Sequence, residues 1–377
     1  MNKIVIVSTT SSFLIDILKD QPKYLKNDYQ VMLISGDGLS FEDIRKNENV
    51  NILHIPMKRG FSIFYDFYSL IRATFALLKF RPNIVHSYTP KAGFIFMIVS
   101  YLCCVPVRVH TFTGLIFPTS KGMKKYILII SDKLLCYCAN TIVAESLGVR
   151  DTMCEYHITE KKIEIIGNGN VAGINTSYFS PSKVTESDVM IKNKNNFMLC
   201  FIGRLSVDKG INDLVDVFIK LPSSFMLIIV GGTDKRDPID NQTLLAIKNH
   251  ERIFCTGYVA DIRPYLKLSD ILVLPSYREG FPNVVLQALS MKKPVISTDV
   301  NGSVEVIGNN INGWIIPKND IISLESAILN ASKLSKSELH KMGGLGRKLV
   351  QEKFERNAYW ESLTSFYIDR LGHFSGE

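Results

Sequence analysis

The sequence predicts two consecutive α/β domains, each built on a parallel, doubly wound sheet. Three observations carry that expectation. At 377 residues, 46% of them hydrophobic and 21% charged, the chain is long enough for two domains with separate cores. Short apolar runs rich in Val and Ile recur, separated by helix-compatible stretches, and strands buried on both faces read as such continuous runs. A polar segment over 175–196 then breaks the rhythm, and the same pattern restarts after it.

In the first half the strand candidates are KIVIVS, QVMLIS, VNILHIP, NIVHSY, VPVRVHT, NTIVAE and KIEIIG. In the second they are FMLCFIG, FMLIIVGG, RIFCTG, DILVLPS, PVISTD and GWIIP, with INDLVDVFIKL and NVVLQALSM among the helices between them. The expected boundaries are a first domain over 1–174, a linker over 175–196, a second domain over 197–355 and a closing helix over 356–377. That last helix has apolar positions at helical spacing and either closes the second domain or packs back on the first. The segment AGFIFMIVSYLCCVPV is apolar throughout but sits where a crossover helix is due, so it reads as a buried or membrane-grazing helix.

The apolar run Ile4–Val7 near the start is too short for a secretory segment or a spanning helix, which predicts a protein that stays inside the cell. Seven cysteines without metal-ligand spacing predict reduced, buried thiols and no disulfide framework. The net charge of +8 is concentrated. Between Lys58 and Lys125 stand Lys58, Arg59, Arg72, Lys79, Arg81, Lys91, Arg108, Lys121, Lys124 and Lys125 against a single acid, Asp66. Phe61, Phe64, Tyr65, Phe67, Tyr68, Phe75 and Phe80 share that stretch. Such a mixture suits an anionic lipid surface, or else a solvated basic face over ordinary core aromatics. Nucleic acid is disfavoured, because no zinc spacing, helix-turn-helix pattern or RNA-binding signature accompanies the charge.

Chemistry concentrates in the second half. The strand FMLCFIG, ending at Gly203, runs into Arg204 and LSVDKGIND, where Asp208 can cap a helix and Lys209 sits beside Gly210. A cation pair on a strand-to-helix turn holds a diphosphate well, but the same residues also read as surface charges at a helix start. In LPSYREGFPNVVLQALSMKKPVIS, a strand ends at Leu274 and Glu279 follows in a Gly-Phe-Pro turn opening a helix, with Pro282 suited to its first turn. Amides around Gly280, Phe281, Asn283 and Val284 would face an anion, and Glu279 would accept hydrogen bonds from sugar hydroxyls. Gln287 stands eight residues beyond Glu279.

Together with NIVHSYTPKAG, VRVHTFTGLIF, IGNGNVAGIN and FCTGYVADI, the segments IGRLSVDKGINDLV and REGFPNVVLQALSMKKPVIS resemble those of glycosyltransferase family 4. The resemblance covers nearly the whole chain, with six segments in the expected order. It implies the GT-B fold, two Rossmann-like domains facing across a cleft, the first binding acceptor and the second nucleotide sugar. It is similar in particular to bacterial enzymes that build O-antigen or capsule on undecaprenyl-diphosphate-linked sugars.

The resemblance further implies a retaining transfer of a hexose or N-acetylhexosamine, best GalNAc, GlcNAc or Gal, α-linked, from a UDP-sugar. Arg204 and Lys209 would grip the donor phosphates, and Glu279 would bind donor sugar hydroxyls with the amides of Gly280 and Phe281. Gly203, Pro282, Asn283 and Val284 belong to the same donor site. Gln287 departs from the family's second acid, which takes the ribose hydroxyls, so weaker donor binding is expected. The loop of Gly257, Tyr258 and Val259 resembles the part that meets the base, or is an ordinary strand-to-helix loop.

In the first domain, His110 at a strand end either faces the transferred sugar or is a core histidine; His86 is a weaker candidate. Lys91 meets an acceptor diphosphate or caps the surface. Thr9, Thr10, Thr113 and Gly114 complete the acceptor candidates. No Asp-x-Asp triplet occurs, so the reaction is expected to need no metal or other cofactor, with the UDP-sugar as co-substrate. The expected place is the cytoplasmic face of the inner membrane, beside a lipid-linked saccharide acceptor. Rival readings are a non-catalytic membrane adaptor of the same fold and a sugar-nucleotide epimerase.

Overall fold

The structure is a computed structural model that describes residues 1–36, 41–58, 60, 62–184, 196–234 and 237–375. It divides into two compact units, Met1–Gly173 with Asn357–Glu377, and Ile174–Arg356. Of the expected linker, 185–195 lies outside the described residues, as do Arg59 and Phe61 of the basic stretch. The described part from Thr176 onward packs on the second unit. Arg347 donates to the carbonyls of Phe179 at 2.8 Å and Thr176 at 3.0 Å, and Lys267 to that of Val184 at 2.6 Å.

The first unit holds a seven-stranded parallel sheet in the order β3-β2-β1-β4-β5-β6-β7. Its strands are β1 (Asn2–Ser8), β2 (Tyr29–Ser35), β3 (Asn51–His54), β4 (Ile84–Ser87), β5 (Val107–Phe112), β6 (Thr141–Ala144) and β7 (Ile163–Glu164). The register sets Ile4 beside both Val31 and Ile84. Every apolar run expected as a strand in this half forms one. Ile4 to Val7 are all fully buried because the sheet is covered on both faces. Alternate residues serve opposite cores. Val5 and Val7 meet Leu77, Phe96 and Leu135 from helices Ile63–Phe80, Pro90–Leu102 and Gly122–Cys138. Ile4 and Ile6 meet Leu25, Trp360 and Tyr367.

The last helix, Arg356–Ser375, therefore belongs to the first unit. Tyr367 is fully buried there, and its hydroxyl lies 2.6 Å from Nδ1 of His86 on β4. The helix Pro90–Leu102 is the apolar segment that sequence left open; it is largely buried between two neighbours. Among the described residues no helix is long and apolar enough to cross a membrane.

The second unit repeats the design with six parallel strands in the order β10-β9-β8-β11-β12-β13. They are β8 (Phe197–Ile202), β9 (Phe225–Val230), β10 (Ile253–Cys255), β11 (Ile271–Leu274), β12 (Val295–Thr298) and β13 (Gly313–Ile316). Each again coincides with an expected run. In both sheets the first strand lies between the second and the fourth in its unit, which makes a topological switch point, and open α/β sheets bind ligands outside the carboxyl ends of those strands. All seven cysteines are free, as expected. Burial is less general than expected: Cys136, Cys138 and Cys200 are interior, while Cys104, Cys154 and Cys255 are exposed because they sit in loops or on outer faces of short elements.

Candidate active site

The switch point of the second sheet lies between β8 and β11, and the loops leaving these two strands carry Arg204, Lys209 and Glu279. After β8 the chain passes through a turn, Val207–Lys209, to Gly210 and the helix Ile211–Phe218. Gly210 adopts φ +67°, and a Cβ there would lie 1.9 Å from the carbonyl oxygen of Pro275, so only glycine lets this turn pack beneath the loop after β11. The two loops are tied further by Tyr277. Its amide donates to the Asp208 carbonyl at 2.9 Å and its hydroxyl to Asp213 Oδ2 at 2.7 Å. Burial first, then the Asp213 carboxylate, raises the Tyr277 phenol well above its ordinary value, so it stays a hydrogen-bond donor.

This fastening brings distant side chains together. Lys209 Nζ donates to Glu279 Oε1 at 2.6 Å, and Ser276 Oγ donates to the same oxygen at 2.7 Å. Arg204 Nη1 is bonded to Asp234, and its Nη2 lies 3.5 Å from Asp208 Oδ2. Arg278 Nη2 reaches that same oxygen at 3.5 Å, while Ser206 donates to the other oxygen of Asp208. Arg204, Lys209 and Arg278 thus each rest on a carboxylate. Asp208, expected as a helix cap, instead bridges two guanidinium groups; Gly210 occupies the cap position and offers no side chain.

The turn after Glu279 is equally well anchored. Thr298 donates to the Ser276 carbonyl. Gly302, at φ +74°, lies so near that a Cβ would come 2.6 Å from Phe281 Cα. Phe281 itself is buried against Phe354, ring centroids 5.4 Å apart, so its side chain serves the core and only its backbone faces outward chemistry. Pro282 sits one place earlier than expected, as the N-cap of helix Asn283–Ser290, its extended ψ of 103° keeping it outside the first turn. Asn283 and Val284 open that helix, and Gln287 lies half-buried one turn further on.

On the same sheet edge, Gly257 has φ +69° and its carbonyl accepts from Gly231 at 2.9 Å. This sets the loop beside the turn after β9, where Gly203 accompanies it through its own bond to the Val230 carbonyl at 3.0 Å. Tyr258 is exposed, and Val259 leans on the core. Among the described residues no three His, Cys, Asp or Glu side chains cluster as a metal site.

The first unit's candidates are placed differently. Thr9 is buried. Its hydroxyl accepts from the Ala92 amide at 3.2 Å and pairs with Thr89 Oγ1 at 2.7 Å, so it serves the start of helix Pro90–Leu102. Thr10 Oγ1 lies 3.1 Å from Ser12 Oγ, Thr113 donates to the Tyr88 carbonyl at 2.9 Å, and Gly114 turns the chain at φ +97°. Lys91 stands at the start of helix Pro90–Leu102. Its ammonium is held by Asp66 Oδ2 at 2.5 Å, both side chains largely buried.

His110 does not stand at an open strand edge. It lies two residues before the end of β5, 1% exposed, beneath helix Pro90–Leu102, where a Cβ on Gly93 would come 2.4 Å from its ring. Its Nδ1 is 2.8 Å from Ser87 Oγ. Burial lowers its pKa to about 3, against the opposing hydrogen bond of Ser87, so the ring is neutral. His86 is likewise buried, between Tyr367 and Thr111, and desolvation holds it well below its ordinary value.

Sequence reasoning passed over Asp234, Ser276 and Arg278. Arg278 had a local signal, beside Glu279 in the Gly-Phe-Pro segment. Asp234 had none, being thirty residues from Arg204 and brought close only by β9.

Two doubly wound parallel units in one chain, with cations at the switch point of the second, are the architecture of the GT-B fold. HepE of Anabaena in complex with UDP and glucose shares this fold, with TM-score 0.82 and 16% identity over 97% of this chain and 99% of that one. The family model described as "Glycosyl transferases group 1" matches residues 183–348, and that described as "Glycosyltransferase Family 4" matches 23–170. The capsular polysaccharide biosynthesis glycosyltransferase CapM of Staphylococcus aureus is 30% identical over 98% of this chain and 97% of its own length. A UDP-Gal:alpha-D-GlcNAc-diphosphoundecaprenol alpha-1,3-galactosyltransferase of Escherichia coli is 28% identical over 86% and 85%. The chain belongs to glycosyltransferase family 4 and is a glycosyltransferase.

Proposed function

We propose that this enzyme transfers a hexose or N-acetylhexosamine from a UDP-sugar, α-linked and with retention, to a saccharide carried on undecaprenyl diphosphate, in the building of a bacterial surface polysaccharide. The observation that carries it is the convergence of Arg204, Lys209 and Glu279 at the switch point of one sheet, with Lys209 and Glu279 in contact at 2.6 Å. The names of the Staphylococcus and Escherichia relatives support the polysaccharide context, the UDP donor and the lipid-linked acceptor.

In this reading the donor diphosphate displaces Asp208 and Asp234 from Arg204. Arg204 is half exposed and so open to the donor, and a diphosphate offers its guanidinium more negative charge and more acceptor oxygens than either carboxylate does. Lys209 and the amides opening helix Asn283–Ser290 then take the charge that grows on the leaving β-phosphate. The bond from the anomeric carbon to UDP breaks with its electron pair on that phosphate oxygen. The acceptor hydroxyl adds to the same face of the sugar and gives its proton to that oxygen. Glu279 accepts from sugar hydroxyls, and Tyr258 with Gly257 and Val259 borders the base. The acceptor belongs to the first unit, on the cytoplasmic side of the membrane.

Purified enzyme given a panel of UDP-sugars and a diphosphate-linked lipid saccharide should form one elongated product, with an α-linkage by NMR and a rate unaffected by EDTA. A strict Mg²⁺ requirement would overturn the leaving-group account. Interconversion of sugar nucleotides without acceptor would point to an epimerase, and a folded protein inert with every donor to an adaptor. Gln287→Glu should restore a charge-assisted contact to the ribose and lower the donor KM about fivefold, from a difference of roughly 1 kcal/mol. An unchanged KM would remove the ribose from that position.

A further inference from the structure

Helices Ile63–Phe80 and Gly122–Cys138 both pack on Pro90–Leu102, burying Ala73 and Leu77 from the first and Leu135 and Cys136 from the second. Each also carries a second apolar stripe that faces away from the protein. On the first helix it consists of Phe64, Phe67, Tyr68, Ile71, Phe75 and Leu78; on the second, of Met123, Tyr126, Ile127, Ile130, Leu134 and Tyr137. The two stripes have the same spacing, i, i+3, i+4, i+7, i+11, i+14, which is one face of an α-helix. These are not grazing exposures: Phe64 is 89% exposed, Phe75 70% and Tyr126 66%. Single apolar residues on a surface need no explanation, but two matched stripes on the two helices that flank Pro90–Leu102 do.

The charge around the stripes identifies what covers them. Arg72 and Lys79 on the first helix, and Lys121, Lys124 and Lys133 on or beside the second, are exposed. Lys58 lies 3.5 Å from the centroid of the Tyr65 ring, a cation resting on the aromatic face. The two helices hold only two acids, Asp66 and Asp132. Asp66 is neutralised by Lys91, and burial raises the Asp132 carboxyl to about 7. A second copy of the chain is a poor partner, since a two-fold contact through this face would set lysines against lysines. An anionic bilayer satisfies both features: the stripes enter the boundary between headgroups and acyl chains, and the long basic side chains reach the lipid phosphates.

We propose that the outward faces of helices Ile63–Phe80 and Gly122–Cys138 are a docking surface for an anionic lipid bilayer, both helices lying in the plane of its headgroups. The surface takes its purpose from the lipid-carried acceptor proposed above, but it stands on these side chains alone. The intact protein should float with vesicles of equimolar phosphatidylglycerol and phosphatidylcholine, and much less with phosphatidylcholine alone. Phe67→Ser with Phe75→Ser, and separately Tyr126→Ser with Ile130→Ser, should each cut the partition constant at least about tenfold. Lys124→Gln with Lys133→Gln should cut binding to the anionic vesicles alone, about fivefold per lysine.

All three variants should melt like the parent and transfer sugar normally to a short-chain, water-soluble acceptor. A parent protein that stays off anionic vesicles, or apolar variants that bind as well as it does, would overturn the docking surface. So would a stable dimer that the same apolar substitutions dissociate, because that makes a second copy the occupant. Normal flotation without any transfer would instead sink the functional reading and leave the surface standing.

Discussion

Replacing Lys209 or Glu279 with alanine is expected to lower sugar transfer by about a hundredfold or more, the usual cost of removing a group that stabilises charge in the transition state. The two residues share one hydrogen bond of 2.6 Å but have different tasks in the proposed reaction. Lys209→Ala removes a positive charge from beside the departing phosphate and should act mainly on kcat. Glu279→Ala removes the acceptor for sugar hydroxyls and should raise the donor KM as well. Neither should unfold the protein, because both side chains keep some access to water, so the partner left behind can be hydrated. Ser276 also remains to bond Glu279 when Lys209 is gone. Steady-state kinetics beside thermal melts check this; parent-like kinetics in both variants would remove the site from the second sheet's switch point.

The largest effect on stability is expected at Tyr367, far from the donor site. Tyr367→Ala deletes a fully buried ring that meets Tyr29 edge-on at 5.9 Å and His86 by hydrogen bond, and should cost about 3–5 kcal/mol. Tyr367→Phe keeps the ring and loses only the hydroxyl, at about 1 kcal/mol. The chain has two tryptophans, Trp314 in the second unit and Trp360 on the last helix. In a Trp314→Phe background, Trp360 fluorescence during urea unfolding therefore follows the first unit alone. A loss below about 1 kcal/mol in Tyr367→Ala would mean that the helix is not held as described.

Much of the fold was legible in the residues because parallel strands covered on both faces read as continuous apolar runs, as the central strands β1, β4, β8, β11 and β12 do. The donor loops were legible for a related reason: Arg204 with Lys209, and Glu279 with Gly280 to Val284, are each close neighbours in sequence. What sequence does not hold is the partner that comes from elsewhere. Asp234 finds Arg204 across β9, Asp66 claims Lys91 from another helix, and Gly93 closes over His110. The destination of the last helix was open for the same reason, since its anchor on His86 lies 281 residues earlier. The aromatic residues between Phe64 and Phe75 were undecided between core and surface, because a helix packed on one side and apolar on both has no polar face to orient it.

That the first unit is closed by Asn357–Glu377 has a bearing on how the chain comes off the ribosome. Domains usually mature in the order in which they are made. Here β1 to β7 emerge first but lack the side chains of Trp360, Leu363 and Tyr367 until the second unit has been translated. The second unit is finished earlier than the first, and the growing polypeptide must keep an unroofed sheet out of aggregates meanwhile. Helix Arg356–Ser375 acts as the latch whose arrival ends that exposure.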